Sequence, residues 1–402
     1  MKRAFITAFF IILLTDIAAA GKPKKIESIP FEMVGSYVIL KARINDSSVL
    51  NLILDSGIRN TIITELMPGD KISLNYSDVK ELMGLGGGEH LEAYASNSNT
   101  LKIGKLKFDY KTVYVLKTDV FNLSRHTGTK INGLIGIDFF QNYVIEIDYT
   151  HKRIRFYDPK TLIPPKGYGE LPITVEGQKM FVELYVLQGD TARKQVKMLI
   201  DTGAELNAWF QTITKESIHL PEKWVQGTIG EGFNGIITGK YGHIRQLCFG
   251  EFCLKNPIVS FPDSSTITGI IAQSRRDGTI GSQLLSRFNL FIDITRKRLF
   301  FKPNENFNKR YAYNIAGIEI VQITPYINLS EVLDVWSNSP AEKAGVKKGD
   351  QINEINGVKA FEMTVSEIRK IFETPSRTPL ILTLMREGKE IRGDRNERHD
   401  LN

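Results

Sequence analysis

The chain is poor in the residues on which several classes of enzyme depend. It has six histidines in 402 residues, and they show neither the HExxH spacing of zinc proteases nor a neighbouring GxSxG motif of serine hydrolases. Ordinary surface or core positions explain these histidines better than catalysis does. The sequence therefore gives no support for a metal site, and we expect neither a metal nor an organic cofactor.

Long apolar runs are also lacking after residue 20. The single run, Ala4 to Leu14, follows two basic residues and precedes three consecutive alanines, which is the pattern of a secretory signal peptide covering residues 1–20. An uncleaved membrane anchor is the alternative, but the run has about half of the roughly 20 residues that a spanning helix needs. We predict an extracytoplasmic protein, periplasmic or secreted, with no membrane span once the signal peptide is removed.

The charge of the chain is not concentrated. The formal net charge is +7, and hydrophobic and charged residues make up 42% and 24% of the chain. These fractions are typical of an ordinary globular protein. The basic residues are scattered and form no motif for groove or base recognition, so no nucleic-acid partner is expected.

Only two cysteines are present, Cys248 and Cys253. They flank a segment that reads as a hairpin with Gly250-Glu251 as its two-residue turn. This register places the cysteines directly opposite each other, at the near edge of the Cα separation that a disulfide accepts. Because an exported protein meets an oxidising compartment, we predict a disulfide, with a reduced pair as the alternative.

The chain repeats itself at an offset of about 145 residues, which is the size of one lobe rather than of a solenoid repeat. Short segments rich in β-branched and aromatic residues predict mostly antiparallel strands in both copies, with one short helix each at 139–143 and 284–288. We name the copies lobe one (25–160) and lobe two (161–305). The matching segments are LILDSG at 52–57 with MLIDTG at 198–203, LKIGKLKF at 101–108 with LCFGEFCL at 247–254, and the segments that begin at Leu134 and Thr279.

Each copy presents one aspartate at the end of an apolar run, followed by a hydroxyl residue and glycine. A single D-[ST]-G triplet is most often a structural turn, but two triplets at matched places in a duplicated lobe favour a shared site. Glycine lets backbone N–H groups approach the carboxylate, and the hydroxyl can brace the turn. We predict Asp55 and Asp201 as the catalytic residues, supported by Ser56, Gly57, Thr202 and Gly203.

The duplication resembles the pepsin and retropepsin family of aspartic proteases over roughly residues 27–303. The family's hydrophobic-hydrophobic-Gly element looks like Leu134-Ile135-Gly136 and, with threonine first, Thr279-Ile280-Gly281. The resemblance implies a mainly β fold of two similar lobes. It also implies that one of two juxtaposed carboxylates acts as base and the other as acid on a water molecule, since the pair holds one proton.

The glycine-rich segment 82–88 is similar to the flaps of retroviral proteases, and the segment 229–235 occupies the matching place in lobe two. Mobile turns are the alternative interpretation. Lobe one departs from the family pattern after its triplet, with Ile58 and Arg59 where lobe two has Ala204 and Glu205, and we predict an Arg59–Glu205 ion pair across the lobes. The flap candidates are Gly84, Gly86, Gly87, Gly230 and Gly232.

A different pattern begins near residue 310. Ser339 and Pro340 predict the start of a short helix that ends at Gly345, and Thr364 with Glu367 predicts a capping box for a helix that reaches Glu373. The run SPAEKAGVKKGDQINEINGVK at 339–359 closely resembles the core of bacterial PDZ domains. The resemblance implies a small α+β domain (310–390) that binds an extended peptide by strand addition. The residues expected at its groove are Gly317, Ile318, Val365 and Ile368, and the alternative is a module that only docks on the lobes.

Taken together, these patterns predict an aspartic endopeptidase that cleaves protein or peptide substrates, followed by a PDZ-like domain that binds a peptide ligand or protein terminus. The departures at Ile58 and Arg59 leave a catalytically inactive peptide-binding scaffold as the alternative. The charged tail, 391–402, is predicted to be disordered.

Overall fold

The computed structural model describes residues 24–82, 91–139, 141–162, 165–189, 192–212, 218–232, 235–267, 275–324, 327–376 and 378–393. The predicted signal peptide and most of the predicted disordered tail lie outside these ranges. The fold is mainly β, with two similar lobes followed by a small α+β domain, as predicted. In the described part of the chain, no helix is both long and apolar enough to cross a membrane.

The described part of lobe one contains eleven strands, most of them short because glycine, asparagine and aspartate interrupt the apolar runs. A helix not predicted from the sequence, α1 (Leu123–Thr127), lies between Asn122 and Gly128, both with positive φ. The strands are β1 (Lys25–Pro30), β2 (Glu32–Val34), β3 (Tyr37–Ile44), β4 (Leu50–Leu54), β5 (Thr61–Ile63), β6 (Tyr76–Leu82), β7 (Leu91–Ile103), β8 (Leu106–Leu116), β9 (Gly133–Ile135), β10 (Val144–Asp148) and β11 (Arg153–Tyr157).

Lobe two repeats this plan. Its helix α2 (Ser282–Leu285) begins two residues before the predicted start and ends before β22, and lobe one has a 3₁₀ turn at Ile137–Phe139 in the matching place. The strands are β12 (Gly169–Glu176), β13 (Lys179–Leu187), β14 (Lys194–Ile200), β15 (Ala208–Phe210), β16 (Trp224–Gly232), β17 (Gly235–His243), β18 (Gln246–Phe249), β19 (Phe252–Lys255), β20 (Ile258–Pro262), β21 (Gly278–Ile280), β22 (Phe288–Asp293) and β23 (Arg298–Pro303).

The sheet order shows the duplication directly. Lobe one runs β2-β3-β4-β9-β5-β8-β7-β6, and lobe two runs β12-β13-β14-β21-β15-β20-β17-β16. In both lobes the strand that leads to the aspartate pairs in parallel with the hydrophobic-hydrophobic-Gly strand: Ile53 with Leu134, and Leu199 with Thr279. Positions in one lobe can therefore be matched to positions in the other by register.

The lobes also share one sheet, ordered β1-β11-β10-β22-β23-β12, in which β10 of lobe one pairs with β22 of lobe two. The apolar faces of all these strands form one core that runs through both lobes, from Ile29 to Phe301. The hairpin β18–β19 places Cys248 opposite Cys253 with 4.0 Å between their Cα atoms, and a disulfide joins them.

The third domain has its own core, made by its sheet and two helices. The helix α3 (Pro340–Lys343) is capped by the Ser339 hydroxyl, and α4 (Val365–Glu373) starts with the capping box of Thr364 and Glu367, so both predicted starts are confirmed. The strands are β24 (Ile318–Thr324), β25 (Ile327–Val335), β26 (Gln351–Ile355), β27 (Val358–Lys359), β28 (Leu382–Arg386) and β29 (Lys389–Gly393). The order β24-β25-β26-β28-β29 leaves β24 at one edge.

Candidate active site between the lobes

The two triplets meet at the boundary between the lobes. Asp55 follows β4 and Asp201 follows β14, and each carboxylate accepts a hydrogen bond from the backbone N–H of the glycine two residues later, at 2.7 Å from Gly57 and 3.0 Å from Gly203. The two carboxyl groups also interact electrostatically with each other. The structure thus brings together the two aspartates that the sequence pairs.

Glycine is required after each aspartate because the opposite lobe comes so close. A Cβ atom built on Gly57 would lie 2.6 Å from Oδ2 of Asp201, and one built on Gly203 would lie 2.3 Å from Cγ of Asp55. Any side chain at these two positions would collide with the carboxylate of the other lobe. The glycines therefore set the distance at which the dyad can form.

The hydroxyl residues of the triplets lock the lobes together rather than bracing only their own turns. Ser56 Oγ donates to the carbonyl of Ile200 at 2.8 Å, and Thr202 Oγ1 donates to the carbonyl of Leu54 at 2.7 Å. Each hydroxyl also accepts the backbone N–H of the other residue at 3.0 Å. All four bonds are buried, so this reciprocal contact fixes one carboxylate relative to the other.

A second contact across the lobes involves Glu205, but not with the predicted partner. Glu205 Oε1 accepts the backbone N–H of Ser36 at 2.8 Å and its hydroxyl at 3.3 Å. Arg59 is exposed instead, and the described residues show no Arg59–Glu205 ion pair, so that prediction is wrong. The other lobe-one departure, Ile58, packs against the apolar clusters of its own lobe.

The electrostatic surroundings shift the pKa values of the two carboxyl groups to different extents. Burial raises the pKa of Asp55 well above its ordinary value, and the neighbouring Asp201 charge raises it further. Burial also raises the pKa of Asp201, but the cationic Arg276 and Lys179 and the Gly203 N–H oppose this rise. Lys179 acts on both carboxyl groups whereas Arg276 acts on Asp201, so the charged form is favoured more at Asp201 than at Asp55.

A cleft of about 1540 Å³ opens in front of the dyad and is bounded by both lobes and the third domain. The hairpin β16–β17 forms part of its wall and contributes the flap candidates Gly230 and Gly232. The lobe-one flap candidates Gly84, Gly86 and Gly87 lie outside the described residues.

The third domain docks on that same hairpin. Trp336 stacks on Tyr241 of β17, with 5.3 Å between the ring centroids and 12° between the planes. Thr228 of β16 donates its hydroxyl to Asp334 Oδ2 at 3.1 Å. Sequence reasoning missed this contact, because Trp336 and Asp334 form no pattern that identifies a partner about 100 residues away.

The residues predicted for the peptide groove of the third domain lie along β24 and α4. Gly317 has a φ of 71° and Ile318, Val365 and Ile368 are buried in the domain core. Lobe one covers this face: Arg125 Nε on α1 donates to the carbonyl of Gln322 on β24 at 2.8 Å. The edge at which strand addition was predicted is therefore contacted by α1.

Comparison with known proteins gives two matches to family models and a match to a solved structure. Residues 40–139 match the family model described as aspartyl protease, and residues 331–386 match the model of the PDZ domain. A crystal structure of an aspartic proteinase from Irpex lacteus aligns at 13% identity and a TM-score of 0.42, over 70% of this chain and 98% of that chain. No curated protein matches the sequence.

Proposed function

Because the chain combines an aspartyl protease region with a PDZ domain, we propose that it is an aspartic endopeptidase acting on proteins or peptides outside the cytoplasm. The observation that carries the proposal is the pair of adjacent carboxyl groups, Asp55 and Asp201, presented by matched turns of the two lobes. A cleft large enough for an extended peptide opens directly in front of them. Peptide or protein partners follow from both regions of the chain.

In the proposed mechanism Asp201, next to the cationic Arg276, is the ionised carboxyl group and Asp55 is the protonated one. Ionised Asp201 takes a proton from a water molecule whose oxygen attacks the scissile carbonyl carbon, while protonated Asp55 donates its proton to the carbonyl oxygen. The resulting tetrahedral species returns a hydroxyl proton to Asp55. The proton on Asp201 passes to the amide nitrogen as the C–N bond breaks, which releases an acid and an amine and restores the dyad.

Single substitutions test this proposal. Asp55→Asn and Asp201→Asn are each expected to lower kcat for a peptide library by at least about 100-fold, because each removes one proton-transfer partner. Asp109→Asn, at an exposed carboxylate of lobe one, is the matched control and should leave turnover unchanged. Turnover that survives both dyad substitutions would refute the proposal, and peptide binding without any turnover would support the inactive scaffold instead.

The same assay has an expected pH dependence. The dyad works with one proton, and the raised pKa of Asp55 keeps that proton bound above the ordinary carboxyl range. Activity should therefore persist while the pair is singly protonated and fall as pH rises through the raised pKa. N-terminal sequencing of the exported protein tests the proposed extracytoplasmic location, with a mature chain beginning after residue 20 as the expected result.

We further propose that the PDZ domain binds peptide or protein termini by adding a strand to β24. Only β25 pairs with β24 among the described strands, so its other side is where a peptide would add. Arg125 of lobe one already bonds to Gln322 on this strand. A peptide that adds there has to compete with α1 for the same backbone carbonyl.

A further inference from the structure

The cleft has two unlike walls beside the dyad. On the lobe-one side, Tyr37, Ile58 and Leu134 line the cleft. Behind them Ile131 packs with Leu134 in a buried apolar cluster. This wall suits an apolar side chain of a bound peptide.

Lobe two has cations at two of the matching positions, those of Ile131 and Tyr37. The pair Leu199–Thr279 has the register of the pair Ile53–Leu134, and Arg276 precedes Thr279 by the same three residues by which Ile131 precedes Leu134. Lys179 begins β13 as Tyr37 begins β3, since both follow the turn of the preceding hairpin. Positions that belong to an apolar cluster in lobe one therefore form a cationic pocket in lobe two.

In this pocket the charge of Arg276 interacts with Asp201, but its guanidinium is not fully hydrogen-bonded. The side chain is 1% exposed and lines the same cleft as the dyad. Its Nε atom is buried and has no hydrogen-bond partner among the described residues. A buried donor without an acceptor is unfavourable, so the unsatisfied Nε indicates that the pocket is built to receive an acceptor group from a ligand.

The local charge balance supports the same conclusion. Lys179 also lines the cleft, and it interacts electrostatically with Arg276, Asp201 and Asp55. Burial and the Arg276 charge lower the pKa of Lys179, and burial lowers the pKa of Arg276 to about 10. Two cations thus face one ionised carboxylate, Asp201, which is itself needed for catalysis. A further negative charge in the pocket would balance the surplus.

We propose that Arg276 and Lys179 form a carboxylate-binding subsite on the lobe-two side of the dyad. The substrate then carries a peptide carboxylate, from an Asp or Glu side chain or from a free C-terminus, next to the scissile bond, and an apolar residue on the other side. Arginine binds carboxylates with two parallel hydrogen bonds, which gives the subsite its selectivity over an amide. This inference rests on the proposed protease function.

Paired peptides test the subsite in the wild-type protein. Peptides with a fixed apolar residue on one side of the cleavage point carry Glu or Gln, or Asp or Asn, on the other, and a second series has free or amidated C-termini close to that point. A charged hydrogen bond contributes about 1.5–3 kcal/mol, so kcat/KM for the favoured carboxylate should exceed that for its amide by about 10- to 100-fold. The series that shows the preference identifies the source of the carboxylate. Equal cleavage in both series would overturn the proposal.

Substitution separates recognition from an electrostatic effect on the dyad. Arg276→Met should bring the carboxylate-to-amide ratio of kcat/KM close to one, whereas Ile131→Met, at the matching position of lobe one, should leave that ratio as in the wild type. Each variant is compared at its own pH optimum. If Arg276 acted only on Asp201, Arg276→Met would shift the pH profile and lower both rates equally, and an unchanged ratio would overturn the proposal.

Measuring peptide binding tests the carboxylate subsite independently of the proposed catalysis. The Asp55→Asn variant is titrated with the same acidic and amide peptides by calorimetry. Tighter binding of the acidic peptide supports the subsite even if no peptide is cleaved, in which case only the protease function fails. Equal affinities would refute the subsite whatever the activity, and this measurement does not depend on whether Arg276→Met folds.

Discussion

The reciprocal hydrogen bonds of Ser56 and Thr202 across the lobes, which we call the hydroxyl lock, lead to a quantitative prediction. Thr202→Val keeps the shape of the side chain but removes the Oγ1 that donates to the Leu54 carbonyl and accepts the Ser56 N–H. Both partners are buried polar groups, and each costs about 1–3 kcal/mol when left unpaired. The expected loss in the free energy of unfolding is about 2–6 kcal/mol, a large part of the roughly 5–15 kcal/mol typical of a folded protein.

The matched control is another buried threonine. Thr64 is 4% exposed and its Oγ1 has no hydrogen-bond partner among the described residues. Thr64→Val therefore removes a hydroxyl that bonds to nothing in the protein, and it should leave stability unchanged or slightly higher. The comparison isolates the lock from the general effect of replacing a hydroxyl by a methyl group.

Urea titration followed by tryptophan fluorescence measures both variants, since Trp209 and Trp224 report on lobe two. A double-mutant cycle of Thr202→Val with Ser56→Ala should give a coupling energy of about 0.5–3 kcal/mol, because the two hydroxyls share one network. Peptide cleavage by Thr202→Val should fall by about 100-fold through misplacement of the carboxylates. The reasoning is refuted if Thr202→Val costs no more stability than Thr64→Val.

Two further predictions concern the PDZ domain. Gly227→Ala would place a Cβ 2.6 Å from the Trp336 ring and should weaken docking of the PDZ domain by about 1–3 kcal/mol, which would be measured as faster proteolysis before residue 316. Gly230→Ala is the control, because nothing lies within 4 Å of its Cβ, and it should leave the proteolysis rate unchanged. Equal effects of the two substitutions would contradict the docking geometry. Arg125→Ala should strengthen binding of a C-terminal peptide to the PDZ domain by about 10-fold, measured by fluorescence anisotropy, since it removes the competing hydrogen bond. Lys117→Ala is the control and should leave the affinity unchanged. An unchanged affinity of the Arg125→Ala variant would show that α1 does not compete with the peptide.

The duplication explains why much of the fold was predictable. A repeated pattern of apolar strands and turns must give two similar lobes, and the matched positions of Asp55 and Asp201 indicate a shared site. The capping residues Thr364 and Glu367 act locally, so the start of α4 could also be predicted.

Contacts between distant segments were less predictable. Ser56 and Thr202 carry the right hydroxyls, but nothing local shows that each bonds to the other lobe. The predicted Arg59–Glu205 ion pair is not formed because Glu205 instead accepts hydrogen bonds from the backbone N–H and the hydroxyl of Ser36. The cationic pocket could have been noticed in the sequence, since the duplication aligns Arg276 with Ile131. A charged residue is expected at the surface, however, until the structure shows that it is buried.

The sheet shared by the lobes imposes an order on folding. Ile147 on β10 pairs with Leu290 on β22, so the partner of this lobe-one strand emerges only after nearly all of lobe two has been synthesised. Until then β10 presents a row of unpaired backbone groups, which is the kind of edge that promotes aggregation. A fragment that ends near residue 160 would keep this edge permanently open. Lobe one is therefore a poor unit for separate expression, and two lobes supplied as separate chains would have a template for reassembly.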